Sequence, residues 1–277
     1  MAKKQPISGH KAKKRFGQNF LEDEGVINRI IKSINPKASD ELVEIGPGKG
    51  AITQHLLHAC PTLSVIELDR DLIPILLSQF IADYPDFTIN QSDALKFDFS
   101  SLLNTENSRL RIVGNLPYNI STPLIFHLLT YNKNVEDMHF MLQKEVVDRM
   151  AAQAGEKHYG RLGIMVQYYC QVENLFDVPP ESFNPQPKVD SAIVRLKPYK
   201  KLPLVAKDVK TLSNLVNVAF QQRRKTVRNS LKQLISAEQL ENLNIDTSMR
   251  PEKITLAEFI NISDELYNIK MQAEQLD

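Results

Sequence analysis

The tetrapeptide Asn115-Leu116-Pro117-Tyr118 sets a side-chain amide, two turn carbonyls and an aromatic ring within four consecutive residues. This set suits the exocyclic amine of adenine, a weak nucleophile because its lone pair is delocalised into the ring. A site that alkylates that amine must take both of its hydrogens and realign the lone pair. The Asn115 oxygen and a carbonyl of the Leu116–Pro117 turn can accept the two hydrogens. Pro117 fixes the turn, and Tyr118 offers a face on which a base can stack. A sulfonium methyl donor then requires neither a metal nor a strong base, so catalysis is mostly placement and electrostatics. The expected opposite wall is Phe183, in Pro180-Glu181-Ser182-Phe183-Asn184-Pro185, because an extruded base needs aromatic faces on both sides.

A second constellation lies upstream. Val43-Glu44-Ile45-Gly46-Pro47-Gly48-Lys49-Gly50 reads as a strand, a glycine turn and the start of a helix. Gly46 and Gly48 allow the backbone a sharp turn and a close approach to a ligand. The spacing is G-x-G-x-G, not the dinucleotide pattern G-x-G-x-x-G, and Pro47 removes an amide that a pyrophosphate would use. Glu67, closing the next strand, can accept hydrogen bonds from both ribose hydroxyls, and Asp93 with Ala94 stands where an adenine amine could donate. Three strand ends in order, each with a fitting group, point to an adenosine-containing cofactor. Lys49 reads as solvated. No G-x-x-x-x-G-K-[ST] loop and no metal-spaced cluster are present, so no metal is expected.

These residues need elements to carry them. Residues 41–45, 63–68, 87–90, 111–114, 139–142 and 191–196 read as strands, while 51–59, 72–82, 122–130 and 145–154 read as helices. Ahead of them, Val26, Ile27, Ile30, Ile31 and Ile34 mark an amphipathic helix that closes near Pro36. The alternation predicts an α/β domain with a parallel sheet covered on both faces. Composition shifts near residue 200, which predicts a first domain over 1–200 and a small all-helical domain over 201–277.

The net charge of +1 hides local segregation. Lys3, Lys4, Lys11, Lys13, Lys14 and Arg15 form a basic tail, and Arg223, Arg224, Lys225, Arg228 and Lys232 a second basic run. Cys60 and Cys170 match no metal spacing and read as reduced, buried thiols of a cytosolic protein. With no membrane-spanning run and no signal-peptide pattern, a soluble cytoplasmic enzyme is expected.

Taken together, the residues resemble the ribosomal RNA adenine N6-dimethyltransferase family over nearly the whole chain. The resemblance runs through Phe16-Gly17-Gln18-Asn19-Phe20-Leu21, the glycine loop, the runs from Asn115 to Leu129 and Met138 to Met150, Tyr159-Gly160-Arg161-Leu162, and Pro185-Gln186-Pro187-Lys188-Val189-Asp190-Ser191. It implies a Rossmann-like, seven-stranded class I methyltransferase domain followed by a helical RNA-binding domain. It further implies S-adenosylmethionine as cofactor, leaving as S-adenosylhomocysteine, with Asn19, Leu21, Glu67, Asp93 and Asn115 at cofactor positions. The implied substrate is 16S ribosomal RNA in the small subunit or its precursor. There, two adjacent adenosines of the hairpin near the 3′ end would each take two methyls, from an enzyme acting as a monomer and serving subunit assembly. The second basic run resembles the opening of the family's helical domain. Phe220, Val227, Leu231 and Leu234 can pack one face while Arg223, Arg224, Lys225 and Arg228 present another to an RNA backbone.

Three alternatives compete. A large-subunit enzyme of the macrolide-resistance type would share fold and centre but typically carries isoleucine in place of Leu116. A DNA adenine methyltransferase usually has Pro-Pro within the tetrapeptide. A non-catalytic assembly factor would not need the intact centre.

Overall fold

In the computed structural model, residues 18–222 and 224–274 are described, so the basic tail from Lys3 to Arg15, Phe16, Gly17 and Arg223 lie outside the described residues. The chain runs β1 (Phe20–Leu21), α1 (Glu24–Ile34), β2 (Glu41–Ile45), α2 (Thr53–Ala59), β3 (Ser64–Glu67), α3 (Ile73–Phe80), β4 (Thr88–Gln91), β5 (Leu110–Asn115), α4 (Ser121–Leu129), β6 (Val135–Gln143), α5 (Lys144–Ala151), α6 (Arg161–Tyr169), β7 (Cys170–Val178), β8 (Phe183–Asn184) and β9 (Ser191–Pro198). Four helices follow: α7 (Val209–Phe220), α8 (Val227–Leu231), α9 (Ala237–Asn242) and α10 (Leu256–Glu274). Seven strands form one sheet in the order β4-β3-β2-β5-β6-β9-β7, and β1 pairs separately with β8.

Strands β4, β3, β2, β5 and β6 are parallel, and β9 runs antiparallel to β6. The inner strands are apolar on both faces, as burial on two sides demands: Leu42, Val43, Ile45, Val65, Ile66, Ile112 and Val113 are all buried. One face gathers Leu42, Val65, Val113, Met141 and Ile193 with Val26, Ile27, Ile30 and Ile34 of α1, Leu56 and Leu57 of α2, and Leu76 and Phe80 of α3. The chain leaves β2 towards β3 and β4, then returns to the other side of β2 with β5. The switch point therefore lies between β2 and β5, where a ligand crevice forms beyond the strands' carboxyl ends.

The described residues divide into two compact units. One comprises the residues up to Val147 with Glu173–Pro198, and the other comprises Asp148–Val172 with the residues from Tyr199 onward. A single cut near residue 200 is thus corrected in one respect: α6 belongs with the C-terminal helices. Ile164 and Tyr168 of α6 join Leu212, Leu215, Val216, Val227, Leu231, Phe259 and Ile262 in the helical unit's core. The strand β7 is absent from the sequence-based expectation because its burial is patchy along CQVENLFDV, as at a sheet edge. Cys60 and Cys170 are free and buried, and the Cys60 thiol donates to the Asp40 carbonyl at 3.3 Å. Among the described residues, no helix is long and apolar enough to cross a membrane.

Three elements meet at Arg111. Its Nε and Nη2 donate to the two Asp137 carboxylate oxygens at 2.9 and 2.8 Å, and Nη1 donates to Asp40 Oδ2 at 2.7 Å. The remaining donors reach the Ile34 and Asn35 carbonyls at 2.7 and 3.3 Å, which cap the C-terminal end of α1. Burial works against the guanidinium's charge, but Asp137 and Asp40 outweigh it and hold its proton more tightly than usual. Removing one partner of such a largely enclosed, partly buried group leaves the others uncompensated. Arg111→Leu should therefore lower unfolding free energy by about 3–5 kcal/mol, read as a urea midpoint shift at constant m.

Candidate active site

The glycine turn between β2 and α2 starts as a continuation of the sheet, with Gly46 N–H donating to the Ile66 carbonyl at 2.9 Å. Gly48 has φ +60°, and a Cβ there would stand 3.2 Å from the Phe20 ring. The turn thus requires glycine for both its backbone conformation and the close approach of an aromatic ring. Beside it opens a cavity of about 1110 Å³. Its wall includes Asn19, Leu21, Gly46, Gly48, Glu67, Asp93, Ala94, Asn115, Leu116, Pro117 and Tyr118, so the tetrapeptide and the expected cofactor positions face one space.

Each polar group has a local reason for its aim. Glu67 ends β3, where its Oε1 accepts the Asp69 N–H at 2.7 Å; burial raises its pKa, and the Asp69, Gly48 and Leu68 amides pull it back. Asp93 Oδ1 accepts the Leu95 N–H at 3.0 Å, leaving Oδ2 for a ligand. Asn115 Nδ2 donates to the Asn19 carbonyl at 3.1 Å, and among the described residues nothing donates to its Oδ1. In the turn that follows, the Pro117 carbonyl is taken by the Ile120 N–H at 3.2 Å, whereas no donor among the described residues meets the Leu116 carbonyl. Of the two turn carbonyls, Leu116 therefore supplies the free acceptor, while its side chain is buried. The Tyr118 ring is pinned through a 2.8 Å hydrogen bond between its hydroxyl and Ser191 Oγ, and burial raises the phenol pKa.

Phe183 does not line the cavity. Its ring is 3% exposed in the core beside α1, because the β1–β8 register pairs Leu21 with Phe183 and turns both inward. The expected aromatic wall is corrected accordingly: Phe20, paired with Asn184, is the β1 aromatic on the cavity. Four contributors had no role of their own in the sequence reading: Phe20, Ser191 and Gln18, which stood there only within motifs, and Thr53. Gln18 donates to Asp69 Oδ2 at 3.2 Å, and Thr53 to Glu44 Oε2 at 2.6 Å. Only their spatial partners reveal them. In the helical unit, Arg224, Lys225 and Arg228 are exposed while Val227 and Leu231 are buried, as a basic outer face requires. Among the described residues no group of three or more His, Cys, Asp or Glu side chains could hold a metal ion.

Glu44 lies in the cavity wall, and burial pushes its carboxyl from 4.5 up to about 7, with the Thr53 hydroxyl opposing and the Glu67 charge adding to the rise. A carboxyl raised in the folded state contributes stability that is complete below its unfolded value and lost as pH climbs through the folded one. Glu44→Gln keeps an acceptor for Thr53 but removes that loss. It should gain up to about 3 kcal/mol on wild type at pH 8 and nothing at pH 4, by urea unfolding at both values.

Comparison with known proteins identifies the family. The sequence profile described as ribosomal RNA adenine dimethylase matches residues 9–268. A ribosomal RNA small subunit methyltransferase A from Saccharophagus degradans is 64% identical over 262 residues, covering 95% of this chain and 97% of that protein. One of the same name from Hahella chejuensis is 58% identical, covering 96% of this chain and 97% of that protein. Among solved structures, a dimethyladenosine transferase from Plasmodium falciparum aligns with a TM-score of 0.74 at 26% identity, over 90% of this chain and 98% of that one. The 23S rRNA methyltransferase ErmE shares the fold, with a TM-score of 0.70 at 21% identity, over 90% of this chain and 100% of that one. The chain belongs to the ribosomal RNA adenine dimethylase family.

Proposed function

We propose that the protein uses S-adenosylmethionine to dimethylate N6 of two adjacent adenosines in the hairpin near the 3′ end of 16S ribosomal RNA, acting on the small subunit or its precursor. The observation that carries the reading is a pair of acceptors that no donor among the described residues meets, Asn115 Oδ1 and the Leu116 carbonyl, at one cavity with Glu67 and Asp93. Relatives named for the small subunit favour that RNA over the large-subunit alternative.

The wall fits the cofactor's charge. Glu22, Glu44, Glu67, Asp83 and Asp93 line the cavity, and among the described residues Lys49 is the one Lys or Arg that lines it. Such a wall favours a ligand of net positive charge and disfavours nucleotide phosphates. It also favours the sulfonium donor over its neutral product, which helps turnover. Glu67 would take the ribose hydroxyls, and Asp93 Oδ2 with the Ala94 backbone the adenine edge. When bound, S-adenosylmethionine supplies an electrophilic methyl carbon. Asn115 Oδ1 and the Leu116 carbonyl accept the two hydrogens of the substrate amine and turn its lone pair toward that carbon. They would also stabilise the positive charge that grows on nitrogen as the C–N bond forms and the methyl–sulfur bond breaks, with S-adenosylhomocysteine as the leaving group and the surplus proton passing to water. In the second transfer one N–H remains for the two acceptors. Tyr118, fixed through Ser191, holds the base plane. The enzyme acts as a monomer in this reading, and a cytoplasmic setting follows from the ribosomal substrate.

Asn115→Ala should cut single-turnover methylation of small-subunit particles about 100- to 1000-fold while S-adenosylhomocysteine binding, by calorimetry, is weakened but measurable. Near-normal turnover removes Asn115 from the mechanism. Primer extension on 16S RNA from a deletion strain tests the substrate directly: retained dimethyladenosine at the 3′ hairpin overturns the assignment. For the basic face of the helical unit, four phosphate contacts predict a slope of log affinity on log salt of about −3, flattened when Arg224, Lys225 and Arg228 are changed to Gln. A wild-type slope near zero rejects that face as the RNA contact.

A further inference from the structure

The Asn115 side chain can serve the substrate amine only in one of its two amide orientations. A backbone carbonyl has no proton to give, so the Asn115 atom 3.1 Å from the Asn19 carbonyl is the nitrogen, and the oxygen is left for the cavity. Without the Asn19 carbonyl the amide could turn over and present two donors to an amine that itself donates. The acceptor orientation thus depends on where the chain around Asn19 is held.

That segment is a short strap with four kinds of tether. Its ladder pairs Phe20 with Asn184 and Leu21 with Phe183, and Glu22 N–H donates to the Ser182 carbonyl at 2.9 Å. Gln18 reaches Asp69 at 3.2 Å, and the Phe20 ring packs against the Gly48 turn. Over that ring sits the ammonium of Lys49, 4.5 Å from the centroid. Lys49 is exposed as a residue, as its sequence position suggested, yet its charged end rests on an aromatic face. The glycine loop is thereby joined to the strap at the residue next to Asn19.

We propose that Lys49 is a positioning residue for methyl transfer: by clasping Phe20 it holds the Asn19 carbonyl where it locks Asn115 with its oxygen toward the substrate amine. This rests on the functional reading above. Because strap and glycine loop also line the cofactor cavity, donor binding and the setting of Asn115 become one event.

The test is steady-state and single-turnover methylation of small-subunit particles by the full chain carrying Lys49→Met, Lys49→Arg, Phe20→Leu, or Lys49→Met with Phe20→Leu. An exposed cation–π contact corresponds to about a two- to fivefold effect. Lys49→Met should lower kcat by that factor with KM for the particle unchanged, and Lys49→Arg should restore most of the rate. The double variant should be no slower than Phe20→Leu alone, since both remove one contact. For the Lys49 variants, thermal midpoints within about 4 °C of wild type, with the assay run well below them, separate positioning from folding. A raised KM with unchanged kcat makes Lys49 an RNA contact and overturns the role, as do multiplicative losses in the double variant or wild-type turnover in Lys49→Met. Inactive wild type on these particles overturns the functional reading, and this role with it.

Discussion

Parallel pairing at β2 constrains all that follows. Val43, Glu44 and Ile45 pair with Ser64, Val65 and Ile66 on one side, and Glu44 and Ile45 pair with Val113 and Gly114 on the other. Strands held in this register end together, so the glycine turn, Glu67 and Asn115 emerge along one sheet edge. Gly114 makes the fit possible at β5, since a Cβ there would stand 2.6 Å from the Ile45 carbonyl. A slip of one residue would exchange the faces of β5, putting the buried Val113 where Gly114 meets that carbonyl and turning Asn115 away from Asn19. The chemistry is thus a by-product of backbone hydrogen bonding several residues away from it.

Electrostatics then separates two tasks. Arg111 concentrates opposite charges at the amino ends of the strands, where Asp40, Asp137 and the end of α1 converge, and serves architecture. At the carboxyl ends the balance is acidic, with Glu44 and Glu67 both held above the ordinary carboxyl range by burial. An acidic, partly desolvated wall is unfavourable for the empty protein and is relieved by a cationic ligand. Strain of this kind is tolerated where function needs it.

Much of this was legible in the sequence, because strand ends are marked by punctuation. The glycine turn, Glu67 and Asn115 each follow an apolar run, whereas Asp93 follows the largely polar Thr88–Gln91 and is marked by its place after the next strand in order. Phe183 misled because an aromatic beside Asn-Pro suggests an open loop, whereas pairing of β8 with β1 decides which way the ring turns. The placement of α6 with the C-terminal helices and the strand β7 went unread for a related reason. Each depends on partners distant in the chain, and β7 lacks the clean alternation of a half-buried strand. Ser191, Thr53 and Phe20 carry no chemical signature of their own and acquire one only from what they touch.

The two cysteines have a use that catalysis does not require. Cys60 lies in the sheet unit and Cys170 in the helical unit, each fully enclosed, and burial pushes the Cys170 thiol up to about 12. A thiol so placed reacts only in the moments when its surroundings open. The chain therefore carries a native clock in each half. The pace at which a reagent consumes each thiol would time separately the opening around the end of α2 and around the start of β7, with no label introduced.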